Sequence, residues 1–301
     1  MEPRRFCDCH VHFWTPETHS WLRSLPDNHP VGDMSALREA GFPLSQYLSE
    51  AEAEGFSRLL TVHVQGLYDR GDDLEETRWL RSLAEATGHP SAIVAYVDLS
   101  LPGAAERLQE HAEAAGGRLK GVRQSLRGPH PERPELHTGP HLLQDERFLQ
   151  NVGLVAEWGV FELQVRSSDW ALAKALVERH GHLQFVINHC GMPFAGERDE
   201  WRQGMQLMAR CPNVHVKLSG FAIFDNQWSP ESLGGVVQAL LEEFGADRCM
   251  FALDFPIDRL RGSYAKWMHA FRASVDSLDE ATKEKLFYLN AVRLYRLEGS
   301  K

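Results

Sequence analysis

The sequence predicts an α/β protein that folds as a single (β/α)8 barrel, on the basis of three observations. Short apolar runs alternate with amphipathic segments along all 301 residues, as strands alternating with helices do. No glycine-rich turn follows the first apolar run, which disfavours a doubly wound open sheet that binds a nucleotide. No low-complexity stretch or linker divides residues 1–301, so we expect one TIM-barrel domain.

The apolar runs define eight strands, each of a length suited to the wall of a barrel. They lie at 6–10, 57–64, 91–97, 119–123, 160–165, 183–188, 213–218 and 248–253. Segments between them repeat apolar residues every three or four positions, the spacing that gives a helix one buried face. These predicted helices lie at 74–86, 102–115, 146–158, 169–181, 200–210, 230–245 and 263–275.

Two connections are much longer than the others. Residues 14–44 follow the first strand, and residues 124–144 follow the fourth. Both begin at the C-terminal ends of strands, where barrel enzymes hold their active sites, and loops of this length are usually functional. Trp14, Trp21 and several prolines indicate a packed first connection. We expect Trp14 and residues 124–144 to close over a bound ring.

The composition argues against several classes of function. A formal net charge of −10 disfavours binding to a nucleic-acid backbone, which requires a basic surface. The N-terminal residues contain no apolar signal segment, and no run of about 18 apolar residues could span a membrane. The five cysteines follow no framework spacing, which indicates a reducing compartment. We therefore expect a cytoplasmic protein with neither nucleic-acid nor membrane partners.

The tripeptide His10-Val11-His12, at the end of the first strand, is the most informative chemical feature. Residues i and i+2 of a strand point the same way, so Asp8, His10 and His12 are expected to share one face. Cys7 and Cys9 have the opposite parity and are expected to pack outward against the helices. Two imidazoles at a strand end can hold a divalent metal or position a water molecule.

Polar side chains stand at the ends of nearly all the remaining predicted strands, while the strand interiors remain apolar. They are His63 and Gln65 on the second strand, Arg123 on the fourth, Gln164 and Arg166 on the fifth, His189 on the sixth, Lys217 and Ser219 on the seventh, and Asp254 on the eighth. This distribution predicts a catalytic mouth at the C-terminal face of the barrel. Asp254 is expected to be a base or a metal ligand, and His189 is expected to belong to the same site.

Four other strand-end residues have less specific expected roles. Arg123 and Arg166 share the parity of residues that face the barrel interior, which favours substrate recognition over a surface position. Lys217 either contacts the substrate or pairs with a charge on a neighbouring strand. His63 is expected to be structural.

Eight segments occur in an order typical of one protein family. They are HVHFW (10–14), VQ (64–65), LEETRWL (74–80), LKGVR (119–123), NHCGMP (188–193), NVHVKLSG (213–220), MFALDFP (250–256) and NAVRLY (290–295). Together they resemble the amidohydrolase-related family, and more closely its sugar-lactonase branch. That branch includes L-fuconolactone and L-rhamnonolactone hydrolases and is similar to 2-pyrone-4,6-dicarboxylate lactonase. The resemblance extends from about residue 6 to residue 297.

The resemblance implies a site made of His10, His12, His189 and Asp254. It also implies water attack on an ester carbonyl, with Asp254 as the general base and His189 as a second catalytic group. A metal would be held by His10, His12 and Asp254, and zinc or manganese suits such nitrogen and oxygen donors.

Enzymes of the superfamily that hold two metals carry a histidine at the end of the fifth strand, where this chain has Gln164 and Arg166. Lys120 has the wrong parity for a bridging lysine. We therefore expect one divalent ion, and metal-independent catalysis remains an alternative. Relatives tend to read DHxGKP and SDWP where this chain has Met192 and Phe255, which leaves the identity of the substrate open.

The predicted function is hydrolysis of a small, polar, sugar-like lactone to its hydroxy acid, an activity of carbohydrate metabolism. The residues expected to bind the lactone are Gln65, Arg123, Gln164, Arg166 and Trp14. A homo-oligomer is compatible with this function. One alternative is a metal-dependent decarboxylase of the same superfamily, and another is a non-catalytic barrel that binds a small acid.

Overall fold

Eight parallel strands form the wall of a barrel in the computed structural model, which describes residues 5–25, 31–66, 72–127 and 141–297. The strands are Arg5–Val11 (β1), Arg58–Val64 (β2), Ala92–Ala95 (β3), Leu119–Val122 (β4), Val160–Leu163 (β5), Gln184–Ile187 (β6), Val214–Leu218 (β7) and Cys249–Phe251 (β8). Each strand pairs with the next along the chain. A bridge between Val11 and Phe255 brings β1 beside the end of β8. The predicted (β/α)8 barrel is confirmed.

Helices cover the outside of the barrel. They are Ser35–Ala40 (α1), Leu44–Glu52 (α2), Leu74–Thr87 (α3), Ala104–Ala115 (α4), Glu146–Asn151 (α5), Trp170–Arg179 (α6), Arg198–Ala209 (α7), Phe221–Phe224 (α8), Pro230–Phe244 (α9), Tyr264–Ser274 (α10), Glu280–Glu284 (α11) and Asn290–Leu294 (α12). Local sequence explains the start of α9: Ser229 caps it, accepting a hydrogen bond from the amide of Ser232, with Pro230 in the first turn. The seven predicted helices are present, although 146–158 continues beyond α5 as a 3-10 helix, Val152–Glu157.

Some elements differ from the sequence prediction. The predicted long connection 14–44 contains α1 and a 3-10 helix, Ser20–Ser24, and the unpredicted helix α2 begins at its last residue. Helices α8, α11 and α12 are likewise additional to the predicted ones. Of the predicted loop 124–144, residues 128–140 lie outside the described residues. Within the described ranges, no helix combines the length and the apolar character needed to cross a membrane.

The barrel interior is apolar below the mouth. Valines of β2, β3, β5 and β6 meet there with Met250 and Ala252. Helix α12 and the turn before it close the opposite end, where Tyr288 and Tyr295 pack against the same cluster. The interior therefore opens only towards the C-terminal ends of the strands, as far as the described residues show.

A β-bulge in β1 reverses the predicted orientation of its first half. Asp8 lies opposite Thr61 and Val11 lies opposite His63, so β1 has one residue more than β2 over this stretch. Cys7 and Cys9 consequently face the barrel interior, where both are fully buried. The prediction that they pack outward was wrong, because strict alternation fails at a bulge.

Asp8 is likewise not on the face of His10 and His12, contrary to the prediction. Its carboxylate accepts hydrogen bonds from the Tyr47 hydroxyl at 2.9 Å and from the backbone amide of Leu253 at 3.0 Å. It also accepts one from the amide of His10 at 3.3 Å. Asp8 therefore ties the bulge of β1 to the segment that carries Asp254.

Candidate active site

The strand ends surround a cavity of about 190 Å³ at the mouth of the barrel. Most of the predicted site residues line it. The lining residues are His12, Trp14, Trp21, Gln65, Gly66, Arg123, Gln164, His189, Ile223, Asp254 and Ile257. The cavity is smaller than the roughly 300–1,000 Å³ typical of sites for drug-sized ligands. Its size suits one small ring.

Backbone hydrogen bonds between β1 and the segment after β8 bring the histidine pair to Asp254. The backbone amide of Asp254 donates to the carbonyl oxygen of His10 at 2.9 Å. The backbone amide of His12 donates to the carbonyl oxygen of Phe255 at 2.8 Å. Asp254 Oδ1 then lies 3.5 Å from His10 Nε2 and 3.7 Å from His12 Nε2. His189 Nδ1 lies 3.7 Å from Asp254 Oδ2. The structure thus places all four predicted residues together.

His189 and Asp254 both have strained backbones. Their φ angles are 52° and 51°, in the left-handed region that side chains other than glycine seldom adopt. Strained residues of this kind concentrate at functional sites, where the surrounding structure enforces them. Gly220 permits the position of His189, because a Cβ atom at Gly220 would lie 2.4 Å from His189 Nδ1. The strain and the close packing indicate that these two side chains are held in fixed orientations.

Burial sets the charge of the site. It lowers the pKa of His12 and of His189 to about 3, and it lowers the pKa of His10 well below its usual value. Burial also raises the pKa of Asp254, while His189 and Arg123 act in the opposite direction by favouring its charged form. Three neutral imidazoles therefore surround one carboxyl group at neutral pH.

His12 has a defined tautomer. Its Nδ1 lies 2.7 Å from the carbonyl oxygen of Val64, and a carbonyl oxygen can only accept, so Nδ1 carries the proton. Nε2 of His12 is then an unprotonated nitrogen that faces Asp254. This nitrogen can accept a hydrogen bond from water or bind a metal ion.

His10, His12 and Asp254 fit a single divalent metal ion by the chemistry of their donors. Each offers one nitrogen or oxygen atom, and these atoms lie within 4.8 Å of one another. Asp254 Oδ2 is buried and has no hydrogen-bond partner among the described residues. Two cationic groups lie beside the same set, since Arg123 Nη1 is 3.2 Å from His10 Nε2 and Lys217 Nζ is 3.3 Å from His10 Nδ1. These positive charges disfavour a second ion.

A buried ion pair lies directly below the site. Lys217 Nζ contacts Glu162 Oε1 at 2.6 Å, and both side chains are fully buried. Of the two roles predicted for Lys217, a substrate contact or an ion pair, the structure shows the ion pair. Its partner Glu162 is on β5, two strands away, rather than on an adjacent strand. Sequence analysis missed Glu162, whose signal was a charged residue between two apolar ones in a short strand. It also missed Asn188 and Tyr295, which donate to Glu162.

Arg166 and His63 are not among the residues that line the cavity. Arg166 precedes the turn Ser167–Asp169, and its Nε and one terminal nitrogen are buried without a hydrogen-bond partner in the described part of the chain. His63 packs against Phe13 and Trp79. The expected role of Arg166 in substrate binding stays a prediction.

The two positions that differ from the related branch are both buried. Met192 Sδ accepts a hydrogen bond from Arg127 at 3.4 Å, and Phe255 packs between Phe42 and Tyr264. Phe255 therefore faces the helices rather than the cavity. Met192 lies in the turn that carries His189, so this turn differs in sequence from that of the related branch.

A model of the amidohydrolase family matches residues 7–297. The chain belongs to the amidohydrolase family. A protein of Sinorhizobium fredii without an assigned function, y4mH, is 29% identical over 300 residues, 96% of this chain and 98% of that one. An L-fucono-1,5-lactonase of Burkholderia multivorans is 28% identical over 309 residues, 96% of this chain and 95% of that enzyme.

Solved structures share the fold. An amidohydrolase from Burkholderia multivorans, crystallised with bound zinc, superposes with a TM-score of 0.79 at 24% identity, over 97% of this chain and 99% of that one. A 2,6-dihydroxybenzoate decarboxylase superposes with a TM-score of 0.65 at 18% identity, over 97% of this chain and 99% of that one. Both likenesses show the fold alone.

Proposed function

We propose that this amidohydrolase opens a small, polar, sugar-like lactone by water attack on the ring carbonyl. The observation that carries the proposal is Asp254, a buried carboxyl group whose Oδ2 has no hydrogen-bond partner among the described residues and which lines a cavity of about 190 Å³. Full-length similarity to an L-fucono-1,5-lactonase supports the substrate class.

Asp254 acts as the general base. It takes one proton from water, and the hydroxide forms a bond to the carbonyl carbon. His12 Nε2 can accept the second water hydrogen and so orient the nucleophile. When the tetrahedral intermediate collapses, the bond to the ring oxygen breaks, and Asp254 returns its proton to that oxygen. The product is an open-chain hydroxy acid.

Arg123 stabilises the negative charge that develops on the carbonyl oxygen. One of its terminal nitrogens is held by the carbonyl oxygen of Gln65 at 2.9 Å, which fixes the orientation of the guanidinium. His189 donates to the carbonyl or orients the water from the opposite side of Asp254. A divalent ion held by His10, His12 and Asp254 would supply Lewis-acid stabilisation at the same oxygen.

Polar groups in the cavity wall favour a hydroxylated ring over a plain ester. Gln65 and Gln164 line the cavity together with Trp14. Amides at a binding site cost free energy when a ligand leaves them unpaired, so the site discriminates against substrates without hydroxyl groups. Arg166 would extend this recognition beyond the residues that line the cavity.

The test is a panel of aldonolactones, assayed for proton release on ring opening before and after treatment with a chelator. We expect hydrolysis of five- or six-membered sugar lactones, with the Asp254→Asn variant as the inactive control. Carboxylated aromatic acids are assayed in parallel for release of carbon dioxide. Decarboxylation without lactone opening would replace the proposal with the decarboxylase alternative, and binding without turnover would indicate a non-catalytic barrel.

A further inference from the structure

Strand β2 continues into the cavity wall as two residues, Gln65 and Gly66. The backbone amide of Gln65 still donates to the carbonyl oxygen of Val94 on β3 at 2.8 Å, and both residues line the cavity. The peptide that joins them lies beyond the end of β2, so its carbonyl oxygen and its N–H group need partners from elsewhere. These partners are two charged side chains.

Arg123 and Glu76 bind the two sides of this peptide. Its carbonyl oxygen, from Gln65, accepts a hydrogen bond from Arg123 Nη2 at 2.9 Å. Its N–H group, from Gly66, donates to Glu76 Oε1 at 2.5 Å. A single planar peptide therefore joins the carboxylate to the guanidinium and couples their orientations. Hydrogen bonds in such a chain polarise one another, and those to charged groups are the stronger ones.

Glu76 is a charged residue on the buried side of helix α3. It stands in the first turn, where the helix dipole favours a carboxylate, and only 5% of its surface is exposed. The other buried residues of this helix are Leu74, Thr77, Leu80 and Ala84. Burial of a carboxylate costs free energy unless polar groups bind it, so Glu76 has a role other than packing.

Gly66 allows Glu76 to approach the peptide this closely. A Cβ atom at Gly66 would lie 3.1 Å from Glu76 Oε1 and 2.6 Å from Trp14 Nε1, so a side chain there would displace one of them. The Trp14 indole in turn stacks on His12, with ring centroids 5.1 Å apart. The peptide is therefore enclosed between Glu76 and an aromatic side chain of the cavity.

The direction of the Arg123 guanidinium depends on the Gln65 carbonyl oxygen. The backbone of Arg123 is fixed separately, since its amide donates to the Ala95 carbonyl oxygen on β3 at 2.9 Å. Arg123 Nε has no hydrogen-bond partner in the described part of the chain. Nη1 contacts His10 Nε2 at 3.2 Å, a contact that depends on the protonation of the imidazole. The Gln65 carbonyl oxygen accepts in every state and so sets the orientation.

Negative charge around Arg123 supports the same arrangement. Burial lowers the pKa of the Arg123 guanidinium. Three carboxyl groups act in the opposite direction by favouring its charged form, and they are Glu162, Asp254 and Glu76. Of the three, Glu76 is the one that the described hydrogen bonds connect to Arg123 through a single peptide.

We propose that Glu76 is a positioning residue for Arg123. By fixing the peptide between Gln65 and Gly66, it holds the Gln65 carbonyl oxygen where this oxygen directs the guanidinium into the cavity. Glu76 is not among the residues that line the cavity, so it acts on the reaction through this peptide. The catalytic consequence rests on the proposed lactonase function, in which Arg123 stabilises the oxyanion.

The first experiment follows the guanidinium of Arg123 and does not depend on turnover. In ¹⁵N spectra a fixed guanidinium gives separate signals for its terminal nitrogens, whereas free rotation averages them, and an Arg123→Lys variant assigns the signals. We expect separate signals in the wild type and averaged signals in Glu76→Met. Glu75→Met is the matched control, because Glu75 precedes Glu76 on α3 and pairs with Arg78 at the surface at 2.6 Å. Separate signals in Glu76→Met would overturn the proposal.

The second experiment measures lactone hydrolysis by Glu76→Met and Glu76→Gln. Glu76→Met should lower kcat about 10²-fold with a smaller change in KM, because a misplacement of about 1 Å at a catalytic group costs that much. The amide oxygen of Glu76→Gln can still accept from Gly66, so this variant should recover most of the lost kcat, and Glu75→Met should match the wild type. An equal loss in Glu76→Met and Glu76→Gln would contradict an action through the hydrogen bond to Gly66.

Combination with Arg123→Ala separates positioning from a general loss of structure. Changes at independent sites multiply to within about twofold, so a merely structural Glu76 would lower kcat by the same factor with and without Arg123. If Glu76 acts through Arg123, Glu76→Met should have little further effect in Arg123→Ala.

The outcomes distinguish this role from the proposed function. Full multiplication of the two losses would refute the positioning role and leave the lactonase proposal intact. Averaged Arg123 signals in Glu76→Met, in a protein whose wild type hydrolyses no lactone, would refute the proposed function and leave the positioning role in place.

Discussion

Two buried carboxyl groups of the same barrel, Glu162 and Asp254, are placed in opposite ways. Glu162, in the interior, accepts three hydrogen bonds of 2.6–2.8 Å from Lys217, Tyr295 and Asn188. Asp254, at the mouth, has its nearest imidazole nitrogens at 3.5–3.7 Å, and its Oδ2 is unpaired among the described residues. The Glu162 carboxylate has its hydrogen bonds within the protein, whereas the Asp254 carboxylate is available to bind a ligand.

The difference separates structural from chemical use of the same group. Buried polar atoms are nearly always hydrogen-bonded, so an unpaired carboxylate oxygen indicates a place for a water molecule, a substrate or an ion. Catalytic contacts are often long before a substrate tightens them. Changes at Glu162 should therefore affect folding stability, and changes at Asp254 should affect turnover.

The largest effect is expected at Asp254. Asp254→Asn keeps the shape of the side chain but cannot accept a proton, so kcat for lactone opening should fall about 10²–10⁴-fold with a small change in KM. The melting temperature should stay equal or rise, because a buried charge is removed. Asp276→Asn, at an exposed position, is the control. Near-normal turnover in Asp254→Asn would show that another group is the base.

Glu162→Ala should have the opposite effect to Asp254→Asn, because it should lower the stability of the fold. It leaves the Lys217 ammonium buried without a partner, and breaking such a pair typically costs about 3–5 kcal/mol of unfolding free energy. Glu162→Gln keeps the shape and part of the hydrogen bonding and should cost less. Urea denaturation of both variants measures the difference. If Glu162→Ala were as stable as the wild type, the ion pair would have no structural role.

The comparison also shows what the sequence could predict. Asp254, His189, His10 and His12 were identified because they follow apolar strands whose C-terminal ends meet at one face of a barrel. Local periodicity was sufficient for the eight strands and for the seven predicted helices, each of which has a continuous apolar face. Helices α1 and α2 have only six and nine residues, too few to stand out within a long connection, so they were not predicted.

The remaining errors come from features that depend on tertiary structure. The bulge of β1 changes the face of Cys7, Cys9 and Asp8, and nothing in the local sequence marks the extra residue. The partners of Glu162 come from other elements, and Tyr295 is 133 residues away in sequence. A charged residue inside an apolar strand indicates a buried pair, but only the fold identifies its partner.

Arg123 and Gln164 sharpen the distinction between chemistry and recognition within the cavity. Arg123→Ala removes an oxyanion donor and should lower kcat about 10²–10³-fold on sugar lactones and on a plain aliphatic lactone of equal ring size. Gln164→Ala removes a neutral hydrogen bond, worth about 0.5–1.5 kcal/mol, and should affect only the hydroxylated substrates. Steady-state kinetics on the paired lactones measures both. Equal small losses on both substrates for Arg123→Ala would exclude it from the oxyanion site.

Asp8 is a third buried carboxyl group, and it offers the smallest and most specific test. Burial raises its pKa from 3.8 to about 7, against the hydrogen bonds from Leu253, Tyr47 and His10. A carboxyl group with a raised pKa stabilises the fold below its unfolded pKa, and this contribution is lost as the pH rises from about 4 through about 7. The slope is at most about 1.4 kcal/mol per pH unit.

Asp8→Asn should remove this slope, because an amide does not titrate. Its oxygen can still accept from the amides of His10 and Leu253, and its nitrogen can donate to the Tyr47 hydroxyl. The buried histidines act in the opposite direction: with folded pKa values of about 3 for His12 and His189, their contribution is lost as the pH falls below about 6.5. The wild type and Asp8→Asn share this histidine contribution, so it cancels in their difference. In urea denaturation, the unfolding free energy of the wild type should therefore fall relative to that of Asp8→Asn between pH 4 and 7. A constant difference across this range would show that Asp8, like Glu162, is held as a charged group by its donors.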